Sequence, residues 1–176
     1  MSNSIRALEP VTAPASRPAV LGCPVFDAIV AAPGFALGVR CDGAQVCAIE
    51  FLPPQPALAA RIHLAAEAER QLRSYLGDPD FQFSLPLRPA GTAFQQRVWR
   101  AMTAIPRGTV RTYGEVAQEL RSAARAVGQA CGANPYPLAV PCHRIVAAGA
   151  LGGFAHSRGG WLTEIKRWLL AHEARR

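Results

Sequence analysis

The segment Pro141-Cys142-His143-Arg144-Ile145-Val146 sets a thiol beside an imidazole, directly behind a proline. That pair is the minimum kit for an activated nucleophile, because the thiolate is the reactive form of cysteine and a nearby base can generate it. Read as the end of a strand, the segment sends the two side chains to opposite faces. Cys142 and His143 then cooperate only if the strand bends or a water bridges them. An imidazole acting as a base also needs a partner to fix its tautomer and orientation. Glu173 is a candidate, because the apolar stripe of the last helix runs through Ile165 and Leu169 and four more residues reach it. A carboxylate on a buried stripe is costly unless paired. The alternative is a frayed helix end that leaves Glu173 in solvent. Taken singly, Cys142 has an equally ordinary alternative as a small core residue.

The elements that must position these groups read as an α+β chain. Strands are expected over 26–30, 36–40 and 45–51, with turns at Pro33-Gly34 and Asp42-Gly43. Pro53-Pro54 breaks the sheet. Leu58, Ile62, Ala65, Leu72 and Leu76 then mark an amphipathic helix that Gly77 closes. Residues 81–87 form a strand or extended connector, and 88–92 a linker. In the second half, Phe94, Val98, Trp99, Met102 and Ile105 share one helical face. Thr112 with Glu115 three residues on matches a capping box. Ser122 is a good N-cap for a following helix, 123–131, made almost wholly of small residues. Two short helices joined tightly in this way predict a helix-turn-helix. Leu138 to Val140 reads as a buried strand ended by Pro141, and Trp161, Leu162, Ile165, Trp168 and Leu169 as a last amphipathic helix. The division expected is a loose terminus over 1–20, a small domain over 21–88 and a second domain over 89–176.

Composition narrows the class. Of 176 residues half are hydrophobic, which fits a globular protein and excludes a fibrous or disordered one. The start is polar and proline-bearing, so neither a secretory signal nor a membrane anchor is expected, and no apolar run is long enough to span a bilayer. Cys23, Cys41, Cys47, Cys131 and Cys142 form no CxxC pair, which argues against a disulfide framework or a zinc ribbon. Reduced thiols in a cytoplasmic protein, with no metal and no cofactor, are the simplest reading. Residues 1–90 hold 7 Arg against 8 Asp and Glu, whereas residues 91–176 hold 12 Lys and Arg against 4. All of the +7 net charge therefore lies in the second half, and a polyanion, most commonly nucleic acid, is the natural partner for it. Ordinary solubility is the alternative reading of that charge.

The run from Ile105 to Ala117 (Ile-Pro-Arg-Gly-Thr-Val-Arg-Thr-Tyr-Gly-Glu-Val-Ala), then Arg125-Ala126-Val127-Gly128-Gln129-Ala130, Asn134-Pro135 and the Pro141 to Val146 segment resemble the O6-alkylguanine-DNA alkyltransferases (methylated-DNA–protein-cysteine methyltransferases). The likeness covers about residues 22–173 and is looser before Phe94. It implies a ribonuclease-H-like N-terminal domain and a C-terminal winged helix. It also implies a monomer that binds double-stranded DNA in the minor groove, flips O6-alkylguanine (and O4-alkylthymine) outward, and takes the alkyl group onto Cys142 once. Flipping follows from chemistry, since a target atom inside a duplex is out of reach. On this likeness Ala124, Ala126 and Gly128 let the recognition helix enter a narrow groove, and Arg125 fills the place of the lost nucleotide. Close helix packing and a plain phosphate contact are the respective alternatives. Tyr113 donates to guanine N3 as the base leaves, Cys131, Ile145, Phe154 and Ala155 line the pocket, and Asn134 holds the turn before Cys142. His143, through a water, and Glu173 keep Cys142 as thiolate.

Three departures stand out. The stretch from Tyr113 to Arg125 is about two residues short. Phe154 replaces a second pocket tyrosine and cannot donate to O6. Residues 155–163 form a longer segment than usual, which contains His156. His63 and His172 carry no motif and are expected to be structural and outward-facing, respectively. Competing classes are a module that recognises alkylated bases without transferring anything, a winged-helix regulator and a cysteine hydrolase. Cys142 argues against the first, its whole segment against the second, and the want of an oxyanion hole against the third.

Overall fold

A computed structural model describes residues 26–157 and 159–174. The terminus expected over 1–20, and Cys23, lie outside the described residues. Three antiparallel strands, β1 (Ala28–Ala32), β2 (Phe35–Cys41) and β3 (Val46–Leu52), form a sheet in the order β1-β2-β3. The expected first strand lies two residues further on, a shift that preserves which face each residue occupies. At the β2–β3 turn, Asp42 Oδ1 accepts from the backbone of Ala44 and Gln45, and Gly43 takes φ 95°. That left-handed conformation is open to glycine at no steric cost.

The helix α1 (His63–Gly77) starts later than Leu58. Leu58 instead exchanges two 3.0 Å backbone bonds with Ile29, so the proline-rich stretch before it extends the sheet edge rather than starting a helix. Residues 81–87 are extended, and Val46 bonds to Pro86 and Arg88 on either side of a bridge to Leu87.

The second half opens with α2 (Ala93–Thr103), which carries a capping box from Thr92 and Gln95 that the expected linker hides. A two-stranded parallel pair, β4 (Arg111–Thr112) and β5 (Ile145–Val146), frames the remainder. The predicted Thr112–Glu115 box does cap α3 (Tyr113–Glu119). The helix α4 (Ala124–Gly132) packs on α2 and α3, and Trp99 Nε1 donates to Ala130 O at 2.8 Å. Ser122 is not its cap. Ala123 holds that position without a side-chain bond, while the Ser122 amide closes the preceding turn on Ala117 O at 2.8 Å.

Residues 138–140 are a turn and not a strand. Pro135, Pro137 and Pro141 remove the amides a ladder needs, and Leu138 adopts φ 74°. The last described helix is α5 (Trp161–Glu173). Buried apolar residues from the sheet, α1, α2, α4 and α5 form one continuous cluster, so both halves share a core. No described helix is long and apolar enough to cross a membrane.

Candidate active site

Cys142 opens a single 3-10 turn, Cys142–Arg144, instead of ending a strand. Its amide donates to Val140 O at 2.9 Å, and the Arg144 amide to Pro141 O at 3.1 Å. Asn134 holds this bend from beneath. Its Nδ2 donates to Val140 O at 2.8 Å, its Oδ1 accepts from the Tyr136 amide at 3.0 Å, and its side chain also hydrogen-bonds the Cys142 thiol. Residues on a 3-10 turn diverge without needing opposite faces of a strand. Cys142 can therefore line a cavity while His143 turns into the core.

His143 and Glu173 are each about 1% exposed, and His143 Nε2 lies 2.8 Å from Glu173 Oε1. An ionised carboxylate only accepts, so Nε2 carries the proton and Nδ1 is the basic nitrogen. Nδ1 is buried and has no protein hydrogen-bond partner among the described residues. Glu173 does not sit on a frayed end. Its carboxylate also accepts from Arg144 Nε and Nη2 (2.9 and 2.8 Å) and from the Tyr75 hydroxyl (2.8 Å), while Arg144 Nη1 reaches Ile105 O at 2.6 Å. Burial opposes the charge on Glu173, but the bonds from His143, Arg144 and Tyr75 prevail and hold its carboxyl well below the ordinary carboxylate range. Burial likewise pulls His143 below 6.5, against the attraction of Glu173, which keeps the imidazole neutral and able to accept a proton.

Burial pushes Cys142 up to about 11, against the Asn134 hydrogen bond and the Lys166 charge. Lys166, which the sequence reading passed over, is wholly buried and donates to Ile145 O, Leu151 O and Gly153 O at 2.7, 2.8 and 3.0 Å. Desolvation brings it down to about 8 despite the two nearby cysteines. It ties the segment after Cys142 to the segment before Phe154. Its position could have been read from α5, because Leu162, Lys166, Leu169 and Glu173 fall on one helical face.

Cys142 lines a cavity of about 250 Å³ together with Tyr113, Arg125, Gly128, Cys131 and residues 153–157. The Tyr113 hydroxyl donates to Gly153 O at 3.0 Å, and burial raises it to about 12, so it is protonated at neutral pH. Cys131 is buried beside Met102 Sδ at 3.5 Å, and burial pushes it up to about 12. Phe154 is 4% exposed and packs on Phe51 with ring centroids 5.3 Å apart. Ala155 also lines the cavity, but Ile145 does not: it is fully buried behind the wall, where its carbonyl receives Lys166. Arg125 is exposed at the rim. Ala124 is exposed and Ala126 half-buried, and neither lines the cavity. His172 faces inward rather than outward, stacked on Trp168 and bonded to Tyr75 O at 2.8 Å. His63 begins α1. No group of three metal-ligating side chains occurs among the described residues.

These contacts set a buried thiol at a cavity wall, with an imidazole and its carboxylate partner in the core and Arg125 at the rim. The sequence profile of the 6-O-methylguanine DNA methyltransferase DNA binding domain matches residues 93–175. A constitutive methylated-DNA–protein-cysteine methyltransferase of Bacillus subtilis is 47% identical over 108 residues, 60% of this chain and 63% of that protein. One from Methanosarcina acetivorans is 44% identical over 110 residues, 61% of this chain and 67% of that protein. The aligned stretch is thus close to two thirds of each relative and falls short of it in the first. Among solved structures, Mycobacterium tuberculosis OGT in complex with DNA superposes with TM-score 0.69 at 34% identity, over 83% of this chain and 91% of that one. The M. tuberculosis O6-methylguanine methyltransferase gives TM-score 0.68 at 33% identity, over 83% and 90%. The chain belongs to the O6-methylguanine-DNA methyltransferase family.

Proposed function

We propose that this protein repairs alkylated DNA by drawing the alkyl group from O6 of guanine, and from O4 of thymine, onto Sγ of Cys142. The observation that carries this reading is a buried thiol at a cavity wall beside an imidazole whose basic nitrogen has no protein partner among the described residues. As Sγ attacks the alkyl carbon, the thiol proton passes through a water to His143 Nδ1. The S–C bond forms, the C–O6 bond breaks, and its electron pair moves onto the purine. The Tyr113 hydroxyl, protonated at neutral pH, stabilises that charge by donating toward N3. In the net reaction the thiol proton replaces the alkyl group on the base. Among the described residues no group is placed to cleave the resulting thioether, so each chain acts once.

On this reading residues 89–176 are a winged-helix DNA-binding and alkyltransferase domain, with α4 in the minor groove as the recognition helix. Residues 21–88 are a ribonuclease-H-like domain. Ala124, Ala126 and Gly128 keep the leading face of α4 slim, and Arg125 enters the stack where the target nucleotide leaves. The protein acts as a cytoplasmic monomer without a cofactor. Because Arg125 acts on the duplex and not on the reacting atoms, Arg125→Ala should slow repair of duplex DNA about a hundredfold, a loss near 3 kcal/mol. Its reaction with free O6-benzylguanine should stay within about threefold of the unaltered protein. Equal losses on both substrates would remove the flipping role. Affinity for the duplex should also fall steeply with added salt, as phosphate contacts require.

Stoichiometry tests the activity itself. With a duplex carrying one radiolabelled O6-methylguanine, label should move to protein up to one equivalent and then stop. Continued turnover, or label that stays in the DNA, would contradict the proposal.

A further inference from the structure

The far wall of the cavity is a turn of unusual composition. Phe154 and Ser157 exchange two backbone hydrogen bonds of 2.8 Å, enclosing a two-residue loop. Both loop residues are left-handed, Ala155 at φ 47° and His156 at φ 65°. Two consecutive positive φ values ordinarily call for Asn-Gly or Gly-Gly, and here neither residue is glycine. The surroundings hold the loop in place. Phe154 is buried against Phe51, and Ser157 Oγ bonds to the backbone of Gly159.

The His156 ring lies directly over Gly132, the last residue of α4. A Cβ on Gly132 would meet His156 Cε1 and Nδ1 at 2.5 Å, so the ring fills the space a side chain would take. One helical turn earlier, a Cβ on Gly128 would be 3.8 Å from the Tyr113 ring. Glycines four apart share a face of α4 and are separated by about 6 Å along its axis. Tyr113 and His156 therefore stand at successive steps along α4, with the cavity between them. In a purine, N3 and C6 are at opposite corners of the six-membered ring. If N3 faces Tyr113, the substituent on O6 points toward the end bounded by Cys142, Cys131 and His156.

From this arrangement we infer that His156 sets the size of alkyl group the protein accepts, acting as a fixed wall that favours methyl over bulky substituents. The inference rests on the alkyl-transfer reading above. The wall is built by the backbone conformation and by the missing side chain at Gly132, and not by a movable lid.

The test compares single-turnover transfer from two duplexes, one with O6-methylguanine and one with O6-benzylguanine, read by intact protein mass. His156→Gly suits the left-handed backbone and removes the ring. It should raise the benzyl-to-methyl rate ratio at least about tenfold, the scale on which pocket shape discriminates apolar groups. His156→Asn, which also tolerates this conformation, should give an intermediate ratio and guards against a fold defect in the glycine variant. Gly132→Ala should lower Tm with His156 present and cost much less in the His156→Gly background, because the atoms nearest the new Cβ all belong to that ring. An unchanged ratio in both His156 variants would overturn the inference while leaving alkyl transfer intact. Absence of any transfer by the unaltered protein would overturn the alkyl-transfer reading itself, and this inference with it.

Discussion

Cys142→Ser should bind a lesion-bearing duplex as the unaltered protein does and transfer nothing to itself. The hydroxyl occupies less space than the thiol in a site only 6% exposed and can keep the Asn134 hydrogen bond, so the 3-10 turn should persist. Chemistry is what disappears. Even a thiol pushed up to about 11 can surrender its proton to a neutral imidazole during attack, whereas an alkoxide is far harder to generate. The rate should fall by about 10⁶-fold, below detection, the scale on which removing a nucleophile slows catalysis. Affinity should stay within about threefold, under 1 kcal/mol. A gel-shift titration alongside a transfer assay checks both halves, and residual transfer by the serine variant would refute Cys142 as the acceptor.

The second large effect is expected at Glu173. Glu173→Ala strands the Arg144 guanidinium, the Tyr75 hydroxyl and the His143 N–H together in the core. Breaking a buried pair from one side costs about 3–5 kcal/mol, so the alanine variant should be close to unfolding. Glu173→Gln keeps one acceptor oxygen and should fold, with stability reduced and alkyl transfer slowed by about 10²-fold or more as His143 loses its orientation. The pH dependence has a definite sign. The folded carboxyl is held below its unfolded value of 4.5, so its contribution is complete above pH 4.5 and lost as pH falls through the folded value. His143, held below 6.5, acts in the same direction: the unfolded chain takes up the proton first, and stability declines as pH drops below 6.5. Urea denaturation of the glutamine variant should therefore be flatter than that of the unaltered protein below pH 4.5 and parallel to it above. Identical pH profiles would mean that Glu173 does not carry the charge assigned to it.

Much of this site was legible because short-range rules govern it. The i, i+4 step from Leu169 placed Glu173 on the buried stripe, and the Thr112–Glu115 spacing placed the start of α3 just where Tyr113 must stand. What the sequence hid came from distant partners. Tyr75 reaches Glu173 across 98 residues, and nothing near it in the chain marks that contact. Lys166 was concealed by habit, since a lysine is ordinarily solvated and only its three carbonyl partners make burial tolerable. Leu138 and Val140 suggest a strand at 138–140, but the three prolines around them deny it the amides a ladder needs. That difference carries Cys142 with it, because a strand end and a 3-10 turn aim its thiol differently. The resemblance puts Ile145 at the pocket wall; its side chain is fully buried and its carbonyl receives Lys166.

The central claim is most directly tested by intact mass followed by peptide mapping, after mixing the protein with a duplex containing one O6-methylguanine. A single added methylene on Cys142, saturating at one per chain, is the result expected. An unchanged mass with tight lesion-specific binding, or an adduct on Cys131 across the same cavity, would contradict it.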